Sequence, residues 1–194
     1  YIKAGISPNK LHVIHNGANP ESFKFCKEVR YPTRSIYVGK IEFRKRQHVY
    51  QKMKNLYFVG NYHNSPFHTK SSNYLGSWTK DQLYTHLTDY ANILLMSDGE
   101  ADPLVIKEAL MAGLGIVCNE ISAANLDRTK KFICVIPNHR FNDTDYIETQ
   151  LKKNREISIE MRREIRQYAE DKFSWANIIK DIYLPKIKSL FNYP

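Results

Sequence analysis

The chain has 194 residues, 42% of them hydrophobic, which is enough for about one domain with a real core. No apolar run approaches the roughly 18 residues that would mark a membrane-spanning helix. Lys and Arg number 29 against 20 Asp and Glu, a formal net charge of +9, and that surplus asks for an anionic partner: nucleic acid, a membrane surface, a phosphorylated substrate or an acidic domain elsewhere.

The chain opens at Tyr1-Ile2-Lys3 with neither a signal-peptide pattern nor an initiator Met, and is expected to be a piece of a longer polypeptide. Leu11 to His15 reads as a short strand ended by the Asn16-Gly17 turn, with loop from Ala18 to Phe23. Ser35 to Lys40 is a β-rich run closing on Gly39, followed by a basic loop containing Lys40, Arg44, Lys45 and Arg46 and an amphipathic helix from Gln47 to Lys54. A strand that ends in Gly and then Lys offers close backbone approach together with a point charge, which suits a diphosphate. A solvated basic turn is the plainer reading of that segment.

Leu56 to Asn61 is the next buried strand and closes on Gly60; Tyr62 to Ser72 lacks periodicity and reads as loop. His63 and His68 lie in that loop without a suitably spaced carboxylate or thiol, so they are expected as surface histidines and no metal site is expected. Asn73 to Trp78 reads as a strand, and Thr79 as the cap of a helix running to about Tyr90.

Ile93 to Met96 is a continuous apolar run, long enough for a strand covered on both faces and too short for a buried helix. Pro103 suits a first helical turn, Leu104 to Ala112 continues with helix formers, and Gly113 ends the helix. In an open α/β sheet such a strand–loop–helix junction lies where ligands bind, and free amides at the helix start attract anions. Glu100 in the loop and Glu108 in the helix bracket the junction with seven residues between them. Glu108, about one and a half turns in, reaches over the first turn; a carboxylate there suits the hydroxyls of a ribose. By spacing alone it equally fits a polar helix face.

Gly115 to Asn119 is a strand, Ala123 to Lys130 a helix and Phe132 to Pro137 a last short strand. Cys118 and Cys134 fall in these strands; with Cys26 they show no Cys-x-x-Cys spacing and are expected as buried free thiols in a reducing compartment. Helices are expected over Asp143 to Asn154 and Ser158 to Lys172, with Arg162 to Arg166 along a solvated face. From Phe173 to Phe191, apolar residues recur near helical period, with a kink at Pro185. Alternating strands and helices give an α/β doubly wound, Rossmann-like parallel sheet of about six strands, expected as a single domain over residues 1–194 with terminal helices from about 158 to 192.

Ser97, Glu100, Leu104, Glu108, Ala109, Met111, Ala112 and Gly113, followed by Ile116 and Val117, resemble in register the Glu-x7-Glu signature of the group 1 glycosyltransferases, the GT-B class that uses nucleotide-sugar donors. Asp102-Pro103 stands where the family has Phe-Gly, and Gly115 where it has Pro. Three further landmarks are similar in order: Val-Ile-His-Asn-Gly at 13–17, the Val-Gly-Lys-x4-Lys segment at 38–45, and the Phe-Ser-Trp at 173–175. Lys40 and Lys45 keep the spacing of the family's diphosphate-binding Arg and Lys, while Arg46 replaces a usual Gly.

The resemblance implies the C-terminal, donor-binding half of a retaining, metal-independent glycosyltransferase without a cofactor. Gly39, Lys40, Lys45 and the helix start at Pro103, Leu104 and Val105 would meet the diphosphate, Glu108 the ribose and Glu100 the donor sugar; Glu100, Lys45 and Lys40 would be catalytic. The implied partners are a nucleoside-diphosphate sugar and a carbohydrate, lipid or protein acceptor held by an N-terminal domain absent from this chain. The expected location is cytoplasmic, with peripheral membrane contact as a further expectation. Two alternatives stay open: a non-catalytic nucleotide-sugar or regulatory domain, and a basic nucleic-acid-binding module, the latter disfavoured because no recognition motif is present and the Tyr are scattered along the sequence.

Overall fold

In the computed structural model, which describes residues 2–191, the apolar runs assemble into a five-stranded, all-parallel sheet of order β2-β1-β3-β4-β5. The strands are β1 (Tyr31–Val38), β2 (Leu56–Val59), β3 (Tyr90–Leu95), β4 (Gly115–Asn119) and β5 (Ile133–Ile136). Every residue of β3 and β4 is buried, which is why those segments are near-continuously apolar rather than alternating. Ile36, Ile93, Ile116 and Ile133 are register partners from strand to strand and form one row across the sheet.

The helices are α1 (Gln47–Tyr50), α2 (Lys80–His86), α3 (Leu104–Met111), α4 (Thr144–Glu160), α5 (Arg162–Phe173), α6 (Trp175–Ile178) and α7 (Leu184–Phe191). Thr79 and Gln82 form a reciprocal capping box at the start of α2. The side chain of Asp143 accepts from the Tyr146 amide and caps α4. α4 lies against the sheet so closely that a Cβ on Gly115 would stand 1.8 Å from Ser158 Oγ. Gly115 is therefore a packing residue, and its place in β4 follows from the approach of α4. Asn92, buried within β3, accepts from Ser35 Oγ at 2.6 Å and donates to Asn154 Oδ1 at 2.9 Å and to Leu151 O at 3.0 Å, so the one amide in that strand is paired on both atoms.

Several expectations are corrected. The sheet has five strands, not six. Residues 11–15 join no ladder, and the nearest pairing is a single bridge from Ala18 to Ser174. Asn73 to Trp78 forms no strand of the sheet and contributes a bridge from Tyr74 to Phe58, with the Asn73 side chain donating to Gln51 O and Leu56 O. Residues 123–130 hold no α-helix; a short 3-10 turn, Ile121–Ala123, stands there. Ser158 does not start a helix. It is buried inside α4, its hydroxyl bonded back to Asn154, and the break falls at Met161.

Arg162 and Arg166 do not lie on a solvated face. Arg162 is 1% exposed and donates to the carbonyls of Cys26, Thr88, Tyr90 and Ala112. Burial lowers its pKa to about 10, which still leaves it charged at neutral pH. Arg166 donates to Pro20 O at 2.8 Å and to Met111 O. Met111 and Ala112 close α3, so the two guanidiniums satisfy carbonyls at the negative end of that helix.

Cys118 is buried, whereas Cys26 and Cys134 are only half-buried, and all three are free thiols. His63 and His68 are exposed. A π-turn at Ile179–Tyr183 precedes α7 and Pro185, whose missing N–H cannot serve the carbonyl of Asp181.

Candidate functional site

The carboxyl ends of β1, β2 and β3 gather the residues singled out above. β1 runs into Gly39 at φ +155° and β2 into Gly60 at φ +151°. A Cβ on Gly60 would stand 1.9 Å from the Gly39 carbonyl oxygen, so the two strand ends touch and only glycine fits. Beside them lies a hollow of about 310 Å³ walled by Gly39, Lys40, Gly60, Asn61, Trp78 and Leu83. Lys40 is half-exposed, its Nζ 3.7 Å from Glu42.

The basic loop is held to the end of β3 from both sides. Tyr37, fully buried, accepts from the Met96 amide at 3.1 Å and donates to the carbonyl of Lys45; burial raises its pKa, so the phenol stays a donor. Lys45 Nζ donates to the Glu100 carboxylate, and both side chains are nearly buried, 13% and 11% exposed. Arg44 stands 3.7 Å from the same carboxylate, donates to Gly99 O and pairs with Glu42 at 2.9 Å. Arg46 occupies the left-handed region at φ 58°, the conformation for which Gly is the usual choice. Its guanidinium lies 4.1 Å from the Phe141 ring and 3.3 Å from Asp98, and it donates to Asn142. Those contacts offset the backbone cost and direct the side chain at its neighbouring loops.

The loop from Ser97 to Pro103 is anchored by Asp102. Its carboxylate accepts from the Asn16 amide at 2.6 Å, from Asn125 Nδ2 at 2.8 Å and from Lys107 Nζ. Its carbonyl accepts from Asn16 Nδ2 at 2.9 Å. Lys107 is 1% exposed and finds its counter-ion there. Burial alone would raise the Asp102 pKa; the hydrogen bonds from Lys107, Asn125 and Asn16 outweigh it and hold the carboxyl below the usual carboxylate range. Asp102 is thus committed to holding the loop.

Pro103 is buried at the start of α3, and no side chain caps that helix. Leu104 is exposed there and Val105 partly so. Glu108 follows on α3. It is half-buried, its carboxylate has no hydrogen-bond partner among the described residues, and burial raises its pKa against the opposing pull of Lys80 on α2.

Lys45 and Glu100 are therefore brought into direct contact, and Gly39 and Lys40 share the hollow with Gly60; Glu108 faces the charge of Lys80 instead. Sequence reasoning missed Tyr37, Lys80, Lys107 and Asn125. Only Lys107 carries a usable signal, since a Lys within an apolar helix five residues after an Asp implies a buried pair.

No family model matches the chain, and no curated protein matches it in sequence. Solved structures do match in fold. TarM from S. aureus, in a complex that includes UDP, superposes with a TM-score of 0.70 at 18% identity over 98% of this chain and 41% of its own. Anabaena HepE in complex with UDP-glucose gives 0.70 at 15% over 97% and 60%. Sucrose-phosphate synthase from Thermosynechococcus elongatus gives 0.70 at 14% over 94% and 53%. The chain has the α/β Rossmann-like fold found within these proteins. It spans about half the length of the solved chains it matches.

Proposed function

We propose that this chain is the donor-binding half of a GT-B glycosyltransferase of the Glu-x7-Glu type, taking a nucleoside-diphosphate sugar. The observation that carries this reading is Glu108: a half-buried carboxylate without a hydrogen-bond partner, on a helix whose start is uncapped. An acceptor-only group left unpaired in such a place calls for hydroxyl donors, and a ribose supplies two side by side. The diphosphate would then lie over the uncapped start of α3, near Lys40, with the nucleobase in the hollow beside Trp78.

On this reading Lys45 exchanges partners. Its bond to Glu100 neutralises it until a diphosphate competes for the ammonium, which frees Glu100 to accept from hydroxyls of the donor sugar. As the sugar–phosphate bond breaks, charge grows on the leaving diphosphate, and Lys40, Lys45 and the helix amides are aimed where it develops. Transfer proceeds with retention and needs no metal, and the acceptor is held by a further domain. The neighbours' complexes with UDP and UDP-glucose support a uridine donor. Among the described residues no helix is long and apolar enough to cross a membrane, and we place the protein in the cytoplasm, with peripheral membrane contact.

A second reading, a nucleotide-sugar-binding domain without transfer activity, is favoured by one observation: Arg46 replaces a permissive Gly and ties the basic loop to Asp98 and Asn142. Thermal melts with a panel of nucleoside diphosphates and their sugars test the binding step, since a specific ligand raises stability by mass action. Stabilisation by a nucleoside diphosphate that is lost in Glu108→Gln supports the donor site. Equal melts across the panel would end it.

A further inference from the structure

A second hollow opens at the start of β1, beside the segment that joins α2 to β3. It has a volume of about 330 Å³ and is walled by Arg30, Tyr31, Arg34, Trp78, Asp89 and Tyr90. Ile36 is the register partner of Tyr57, so Tyr57 and Arg34, two residues back along β1, project to one side of the sheet. The Arg34 guanidinium sits between two rings, 4.4 Å from the centroid of Tyr31 and 4.6 Å from that of Tyr57. It has neither a carboxylate nor a hydrogen-bond partner among the described residues.

Arg30 adds a second cation, 5.2 Å from the Tyr31 ring and 4.0 Å from Asp89. The hydroxyls of Tyr31, Tyr57 and Tyr90 also lack partners among the described residues. Burial pushes the Tyr90 phenol up to about 12, so it donates at neutral pH. Trp78 closes the wall, its ring 6.4 Å from that of Tyr90. In sequence the Tyr and the basic residues look scattered; the fold interleaves them here.

A guanidinium with its fork free binds an oxyanion in two-point fashion. Aromatic walls take the C–H face of a sugar ring, and uncommitted phenols with an acidic neighbour suit a ligand rich in hydroxyls. We infer that this hollow binds an anionic sugar, a single ring bearing a carboxylate or a phosphate, with the oxyanion on Arg34, the ring against Trp78 and Tyr90, and the hydroxyls on the phenols and Asp89. The hollow is walled from the start of β1 and the proposed donor hollow from its end at Gly39, and Trp78 stands between them and lines both. The proposal does not depend on the donor reading. A nucleic-acid strand is disfavoured, since it needs a continuing basic track and here Asp89 stands in the wall.

Calorimetric titration of the chain with glucose 6-phosphate and with glucuronate tests it, with glucose and inorganic phosphate as controls. Both anionic sugars should bind, each control at least about tenfold more weakly. Arg34→Gln should weaken both anionic sugars at least about tenfold and leave UDP affinity unchanged. Tyr31→Phe, which keeps the ring and the fold, should give a smaller loss, and Glu108→Gln none. If only one of the two anionic sugars binds, or glucose binds as well as its phosphate, or Arg34→Gln and Tyr31→Phe both leave affinity unaltered, the site is wrong. Tighter binding of an oligouridylate through the same residues would also overturn it.

Discussion

Lys45 and Glu100, 55 positions apart in the chain, neutralise each other at the carboxyl edge of the sheet. Two residues with separate roles in the proposed donor site are, in the structure, each other's partner. Their pairing sets a competition that a variant can expose. Glu100→Gln removes the carboxylate that occupies Lys45, so nucleoside diphosphate should bind several-fold more tightly while sugar transfer by the full-length protein falls. Lys45→Ala should weaken diphosphate by at least about tenfold, the loss of one charge-assisted contact, and leave the bare nucleoside unaffected. Calorimetry with UDP and uridine checks both; weaker UDP binding by Glu100→Gln contradicts the exchange.

Glu108 is expected to trade stability against binding. Its folded pKa is raised, so its ionised form disfavours the fold once pH exceeds the unfolded value, and that penalty disappears as pH falls below it. Glu108→Gln should melt above wild type at neutral pH and converge with it in acid. The same change should weaken nucleoside diphosphate by about 1.5 to 3 kcal/mol, as hydrogen bonds to a charged acceptor are lost. A melt series across pH with a parallel titration reads both, and a variant that binds unchanged returns Glu108 to an ordinary helix face.

Asp102→Ala strands Lys107 without its counter-ion in a site 1% exposed. Breaking a buried pair from one side costs about 3 to 5 kcal/mol, measurable as a lower urea midpoint. The Asp102 pKa is depressed, so its contribution is present above the unfolded carboxylate pKa and lost as pH falls through the folded one. The gap between wild type and Asp102→Ala should therefore narrow in acid. A double change of Asp102 and Lys107 to apolar residues should recover most of the loss.

Arg162→Lys is not conservative. One ammonium cannot reach the carbonyls of Cys26, Thr88, Tyr90 and Ala112 at once. Leaving several of them buried and unpaired should cost at least about 3 kcal/mol, and Arg162→Lys should unfold almost as early as Arg162→Met.

The sheet order follows from the apolar runs at β3 and β4 and from their turn signals, because a strand buried on both faces writes its own composition. The strands expected at residues 11–15 and 73–78 had the right local composition, but the first has no ladder neighbour and the second makes only a bridge to Phe58, which no window of sequence contains. Arg162 was misread for a related reason. A cation serving carbonyls has no acidic residue at a fixed spacing to announce it. The glutamate pair and the basic loop were legible as a motif, but the bond between Lys45 and Glu100 depends on two loops meeting, and Tyr37, which helps to bring them together, reads as an ordinary strand residue.

Ile178 is buried at 4%, whereas Ile179, Ile182, Tyr183, Leu184, Ile187 and Leu190 are all at least 37% exposed. The helix beyond Ile178 is therefore expected to open without disturbing the sheet. Its amides should exchange with solvent many times faster than those of β3 and β4. Trypsin should cut at Lys180, Lys186 and Lys188 while the remainder stays folded, a trimmed body still melting near the temperature of the intact chain.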